Sequence, residues 1–408
     1  MKRRAATRVA FLTFVVVGVG LLPRGARNVP AAQTSAAREI PTFQLDTSWP
    51  RKLPNNWVFG SVSGINVDAQ DHIWVITRPR EKVNAAQKNG VAAPPVVELD
   101  AAGNFVQGWG GPGAGYEWFD IEHGITVDSK GFVWIAGSGR EKDDQILKFT
   151  RNGKFVMQIG KKGQSKGNTD KANVRGAADV TYYAPTNEIF VADGYVNRRV
   201  IVFDAETGSY KRMWGAFGNV ATDMKPGENP ATTPVDVNTE GRGPQQFSNN
   251  VHGIRVSTDG LVYVCDRQNQ RIQVFTIDGK YVTQVFISRG KLPESTATGT
   301  VYGQPRKQVE DEVISSNQSA SRTTFSPDPQ QRFLYVLDRR HQKIAILDRK
   351  TLEILGYFGG GIGEAPGQFY ILHDMATDSH GNFYTAEINQ NGRAQKFAFK
   401  GMAPLPAK

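Results

Sequence analysis

The chain has one cysteine, Cys265, which excludes an intramolecular disulfide and any metal site built on several thiolates. Histidine is scarce as well, six in 408 residues, so the position of each one carries information. A bilayer-spanning helix needs ~20 apolar residues, and the N-terminal apolar run stops short of that, extending from Val9 to Leu22. Even the apparent excess of one charge sign is local. The formal charge is +10, but Lys2, Arg3, Arg4, Arg8, Arg24 and Arg27 fall in the first 32 residues with no acid among them. Without them the charge is about +4. The remaining Lys and Arg are scattered and form no stripe, so no nucleic-acid partner is expected.

What is present at the N-terminus is a basic start, the apolar run, and then the small-residue stretch VPAAQ at 29–33. This is the pattern of a secretory signal. Residues 1–32 are therefore expected to be removed near Ala31 or Ala32, with no Cys after the run to carry a lipid. The protein is expected to be exported, periplasmic or extracellular, without a stable membrane anchor, and monomeric. Residues 33–56 form an N-terminal segment, and 57–401 the body of the protein. That body exceeds the ~250–300 residues a single core usually supports, a limit that a ring of repeats escapes because each unit packs on the next.

Repeats are present. GINVDAQDHIWVITR (64–78), GITVDSKGFVWIAG (124–137), DVTYYAPTNEIFVADG (179–194), GIRVSTDGLVYVCDR (253–267), TTFSPDPQQRFLYVLDR (323–339) and DMATDSHGNFYTAE (374–387) are six versions of one phrase. Each continues into a second strand pair, as in VVELDAAGNFVQGWG and ILKFTRNGKFVMQIG. Short runs rich in Val, Ile, Phe and Tyr with Gly, Asp and Asn at the joints read as strands and hairpins. Four strands per unit, six times over, predict an all-β, six-bladed β-propeller. The sixth unit runs out after AQKFAFKG (394–401), one strand short. Residues 41–46, in PTFQLDTSW, are the expected closing strand, which leaves no open sheet edge.

Strand order sets the faces. The start of the innermost strand, the end of the second and the blade connections share one face, the top, where the long segments 79–95, 217–246 and 291–318 also fall; function is expected there. His72 and His380 fall in the opposite turns and His341 in a polar loop, all read as solvated. His123, His252 and His373 behave differently. Each sits the same distance ahead of an aromatic (Trp134, Tyr263, Tyr384), at the top of the innermost strand of units two, four and six. Alternate blades are ~120° apart, so three imidazoles converge on the axis, the three-His arrangement of a zinc with one open position. Units one and three hold Ser63 and Ala178 at that register, and neither competes as a ligand. Arg78, Tyr195 and Arg267 follow the second strands of units one, three and four. They bring an acid or base and an anion clamp to the same face.

These phrases together, VSGINVD with Arg78, EHGITVD, VADGYVNRRV, VHGIRVS followed by CDRQNQRIQVF, and LHDMATD, resemble the peptidyl-α-hydroxyglycine α-amidating lyases, propellers of NHL repeats, over about 57–399. The resemblance implies zinc on His123, His252 and His373, Tyr195 as catalytic base with Arg78 beside it, and Arg267 on the carboxylate of a small-molecule or peptide substrate. It also implies a structural calcium in the axial channel, held by Asp374 and the backbone carbonyls of Ile65 and Ile125. The reaction implied is cleavage of an α-hydroxyglycine-type carbinolamide to an amide and glyoxylate. The sequence departs from the family in three places. Val196 stands where a cysteine usually follows the tyrosine, Ile371 stands for a common methionine, and no copper monooxygenase domain accompanies the propeller. Two other readings stay open: a non-enzymatic NHL binding scaffold, and a calcium-dependent hydrolase of the lactonase type.

Overall fold

The phrase that repeats in the sequence repeats as a hydrogen-bonded device. In three blades an aspartate closes the hairpin between the first two strands. Asp68, Asp128 and Asp378 each accept two turn amides through Oδ1. Through Oδ2 each accepts the polar edge of the aromatic that follows, Trp74 Nε1 and Trp134 Nε1 at 2.9 Å and Tyr384 Oη at 3.0 Å. The carboxylate satisfies turn donors and anchors a buried ring at once, which is why Asp and the aromatic travel together.

In this computed structural model, residues 38–79, 90–140, 142–223, 242–248, 250–289, 295–316, 318–388 and 392–405 are described. The expected signal segment, 1–32, lies outside them. Six four-stranded antiparallel sheets, spanning 61–109, 122–159, 177–214, 251–286, 323–358 and 372–404, form the blades of a propeller. The innermost strands are Ser61–Val67, Glu122–Val127, Ala177–Tyr183, Val251–Val256, Thr323–Phe325 and Leu372–Thr377. Apolar clusters fill the wedges between neighbouring blades: Trp134, Val180 and Val191 join the second and third, and Tyr263, Phe325 and Leu334 the fourth and fifth.

The ring closes as expected, with Glu39–Asp46 pairing antiparallel to Ala394–Pro404 as the outer strand of blade six. Phe43 inserts from it against Phe358 at 4.4 Å between ring centroids, and Arg38 pairs with Glu353 of blade five at 2.8 Å. One element departs from the all-β expectation. Arg306–Ser315, in the connection between blades four and five, is an α-helix. Val309 and Val313, four apart, bury one face of it against Val301 and Ile362, and Arg306–Glu310 and Lys307–Asp311 pair along the solvent side. Among the described residues no helix is long and apolar enough to cross a membrane.

The top of the innermost strands carries a second repeated device. In five blades the pairing with the second strand skips one residue: Ser63, His123, Ala178, His252 and His373. A bulge of this kind leaves its residue outside the ladder and re-aims its side chain and carbonyl. The histidine register of the sequence is a bulge register. Blade five holds Ser321 there, followed by Arg322, whose carbonyl accepts the Leu337 amide.

Candidate functional site

The bulges alternate in what they contribute to the axis. Blades two, four and six give imidazoles, while blades one, three and five give carbonyls. His123 Nδ1 donates to the Ala178 carbonyl (2.7 Å), His252 Nδ1 to Ser321 (2.9 Å) and His373 Nδ1 to Ser63 (2.7 Å). A carbonyl can only accept, so each Nδ1 carries the proton and each Nε2 presents a lone pair. All three rings are fully buried, with centroids 4.6–5.1 Å apart, and their ligand atoms lie within 4.8 Å of one another. Burial first, then neighbouring positive charge, holds all three well below the ordinary imidazole pKa: Arg322 and Arg78 act on His123, Arg267 and Arg322 on His252, and His123 and Arg322 on His373. They are neutral, the form a metal requires.

Tyr195 caps this triad. Its Oη lies 2.9 Å from His123 Nε2 and 3.2 Å from His252 Nε2, while His373 Nε2 is buried with no partner. One phenolic proton therefore serves three converging lone pairs. Leaving two of them unmatched in a dry site is costly, and a cation at the convergence point would supply what the hydrogen bonds do not. The donor set of three neutral imidazole Nε2 atoms, with their outer nitrogens fixed by carbonyls, fits a divalent ion of the zinc type.

The loop holding Tyr195 has no disulfide, and its rigidity has another origin. Asp193 accepts the Arg175 amide at 2.7 Å through Oδ1, and through Oδ2 it takes Asn197 Nδ2 at 2.7 Å and Arg199 Nε at 2.8 Å. Arg199, fully buried, reaches on to the carbonyls of Asn168, Asp170 and Asn173. The Tyr195 amide donates to Gly176 (2.9 Å), which sits at φ +66 with the tyrosine Cβ packed where its own Cβ would project. The phrase DGYVNRR thus encodes a clamp: Asp, Asn and the second Arg hold the turn that aims the tyrosine.

Arginines surround the phenol. The Arg267 and Arg140 guanidiniums lie 5.7 and 5.9 Å from the Tyr195 ring centre, and Arg78 is held by a 2.9 Å bond from Nε to the Glu122 carbonyl. Burial alone raises the phenol's pKa. Arg267, Arg78 and Arg339, with Arg322 beneath, more than offset that and leave it below the ordinary value. Arg267 is buried, gives Nη2 to the neutral Asn250 Oδ1 at 2.5 Å, and keeps Nε without a partner. A cavity of about 440 Å³ opens over the site, lined by Arg78, Asp120, Ser138, Arg140, Tyr195 and Ile388.

Of the residues singled out in the sequence, His123, His252, His373, Tyr195, Arg78 and Arg267 come together on one face. Asp374 is placed one step below and meets the amide of Ile65, Oδ2 to N 3.2 Å; Ile65 and Ile125 are both fully buried. The sequence reading did not find Arg322, Arg339 or Arg140. Arg339 follows the second strand of blade five as Arg267 follows that of blade four, and burial with the nearby Arg267 pushes its pKa down to about 10. The three histidines read as solvated each have a carboxylate partner, His72 with Glu98 (2.5 Å), His341 with Asp338 (2.7 Å) and His380 with Asp71 (3.2 Å), and the side chains of His341 and His380 remain exposed.

Sequence comparison agrees with this picture. The NHL repeat family model matches residues 249–275, in blade four. A probable peptidyl-α-hydroxyglycine α-amidating lyase of Caenorhabditis elegans is 31% identical over 159 residues, 39% of this chain and 37% of that protein. Peptidyl-α-hydroxyglycine α-amidating lyase 2 of Drosophila melanogaster is 29% identical over 190 residues, 44% and 43%. The mouse NHL repeat-containing protein 3 is 26% identical over 247 residues, 59% and 58%. The matched stretch is thus under two thirds of each relative's length, and under half for the two lyases. The chain is an NHL-repeat propeller with distant homologues among the peptidyl-α-hydroxyglycine α-amidating lyases.

Proposed function

We propose that the protein is a metal-dependent lyase that cleaves an N-acyl-α-hydroxyglycine or a close carbinolamide to an amide and glyoxylate. The observation that carries this reading is the convergence of three neutral imidazole Nε2 atoms on one phenol ringed by guanidiniums. A divalent ion on the three histidines supplies Lewis acidity toward the carbinol hydroxyl. Tyr195 removes the hydroxyl proton, helped by the arginines that stabilise its phenolate. As the carbonyl of glyoxylate forms, the C–N bond breaks and its electron pair passes to nitrogen. The amide nitrogen takes up one proton, which matches the one Tyr195 removed, so the step balances without an outside acid. Arg267, with an unmatched buried donor, binds the substrate carboxylate, and Arg78 stands beside the base.

Glyoxylate release from N-benzoyl-α-hydroxyglycine by protein loaded with zinc, followed colorimetrically against the spontaneous rate, is the direct test; release no faster than spontaneous rejects the reading for this substrate. The match to NHL repeat-containing protein 3, which covers more of the chain than either lyase match, supports a second reading as a binding propeller. In that case the metal binds and turnover is absent with every carbinolamide offered.

A further inference from the structure

One residue below each bulge lies a second ring of axial positions: Gly64, Gly124, Asp179, Gly253, Arg322 and Asp374. The blades crowd so closely here that a Cβ on Gly64 would meet the His123 carbonyl at 2.7 Å and one on Gly124 the Ala178 carbonyl at 2.8 Å. The three side chains that are present fill the channel together. Arg322 Nη1 lies 2.8 Å from Asp179 Oδ2, and Nε lies 3.4 Å from Asp374 Oδ1, with all three side chains fully buried. Arg255 adds a second guanidinium, Nη1 to Asp179 Oδ2 at 2.5 Å. The carboxylates are further engaged by amides: Asp179 by Ile254 (3.0 Å), Asp374 by Ile65 (3.2 Å) and Met375 (2.8 Å).

We propose that Arg322 is a built-in axial cation that takes the place of a structural calcium, so the fold of this protein is calcium-independent. Two carboxylates and two guanidiniums already sum to zero charge. A divalent ion added among them would leave two positive charges uncompensated in a dry core, where like charges a few ångströms apart repel strongly. Calcium also requires six to eight oxygens at ~2.3–2.6 Å, whereas three of the four carboxylate oxygens on this axis already face protein N–H groups and Asp179 Oδ1 is the one left without a hydrogen bond. The guanidinium further holds what it replaces the ion to hold. Its Nη1 donates to the His252 carbonyl and its Nη2 to the Ala178 carbonyl (3.1 Å), the latter being the acceptor that fixes the His123 tautomer. Arg322 is thus also a positioning residue for the histidine triad. This holds whether or not the lyase reading does, because its readout is stability and metal content.

The test uses the full protein. Elemental analysis of wild type purified from calcium-containing medium is expected to find no calcium, and millimolar calcium chloride is expected to leave the melting temperature unchanged. Retention of about one calcium per chain, or stabilisation by added calcium, overturns the proposal. Arg322→Gly, which installs the residue found at this position in blades one, two and four, leaves Asp179 and Asp374 facing an unfilled channel. It should melt lower than wild type and gain several degrees on addition of calcium, as mass action requires when a ligand binds only the folded state. Arg322→Lys keeps a cation there and should not respond. An Arg322→Gly protein that folds and ignores calcium overturns the proposal too, and the wild-type and lysine measurements decide it if the glycine variant fails to fold.

Discussion

Two rings of side chains lie one residue apart on the propeller axis, and they are completed in opposite ways. The lower ring, Asp179, Arg322 and Asp374 with Arg255 alongside, matches each charge with its opposite. The upper ring brings three lone pairs to one phenolic proton and leaves His373 Nε2 with nothing. Both are equally buried, so exposure does not separate them. A ring built only to hold the blades together balances its charges internally, even where Asp179 Oδ1 and Arg322 Nε lack a hydrogen bond of their own. A ring built to bind leaves a deficit of defined sign and shape, which in the upper ring is a missing positive charge with three nitrogen donors around it.

The most damaging change to that contrast is removal of an upper-ring donor. His252→Ala is expected to abolish stoichiometric metal binding, measured by elemental analysis, and to lower turnover on the order of 10³-fold or more, since a Lewis acid supplies several kcal/mol. The same variant also loses a buried ring and its Nδ1 bond to the Ser321 carbonyl, so the metal-free protein should melt somewhat lower as well. Full retention of metal by this variant would falsify the shared site. In the lower ring the opposite holds: a deletion there costs stability first.

A smaller effect is expected one layer up. Tyr195→Phe removes the base and keeps the ring, so kcat should fall about 10²-fold or more with metal still bound. Because the arginines hold the phenol's pKa below its ordinary ~10, the base form is populated progressively as pH rises. Wild-type kcat should therefore climb with pH through a midpoint below that of an ordinary phenol, and Tyr195→Phe should lose that limb. A variant as active as wild type, or one with an unchanged pH profile, removes Tyr195 from the mechanism.

The upper ring was legible in the sequence and the lower one was not, for a physical reason. His123, His252 and His373 sit inside well-kept copies of one phrase, so counting from the aromatic locates them. Blade five breaks the phrase. Its innermost strand is reduced to Thr323–Phe325, no glycine follows the bulge, and the longer turn at 326–332 shifts the count to the aromatic. Aligning QSASRTT (318–324) with NNVHGIR (249–255) would have put Ser321 in the histidine register and Arg322 beside Asp179 and Asp374. The helix at 306–315 was missed because its apolar face is only Val309 and Val313. The pairing of His72 was not legible because its partner, Glu98, arrives from the third strand of the blade. Local sequence reports a turn and says nothing of what is buried beside it.

The finest distinction lies between residues that make the deficit and residues that read the ligand. Arg267 is buried beside the Tyr195 ring and is held by a neutral amide oxygen rather than an acid. Asp193–Arg199 and Asp266–Arg271 are arginine pairs of the neighbouring loops, with a carboxylate 2.8 Å away in each. Those pairs brace loops. Arg267 keeps an unpartnered Nε, and a carboxylate placed against it would gain a charge-assisted bond of ~1.5–3 kcal/mol. Arg267→Ala should therefore raise KM for a carboxylate-bearing carbinolamide about tenfold to a hundredfold, with a smaller effect on kcat and none on metal content. For an analogue with the carboxylate amidated, wild type and variant should have similar KM values. If the variant instead loses kcat with KM unchanged, or discriminates equally against the amidated analogue, the guanidinium serves the transition state or the loop and not the carboxylate.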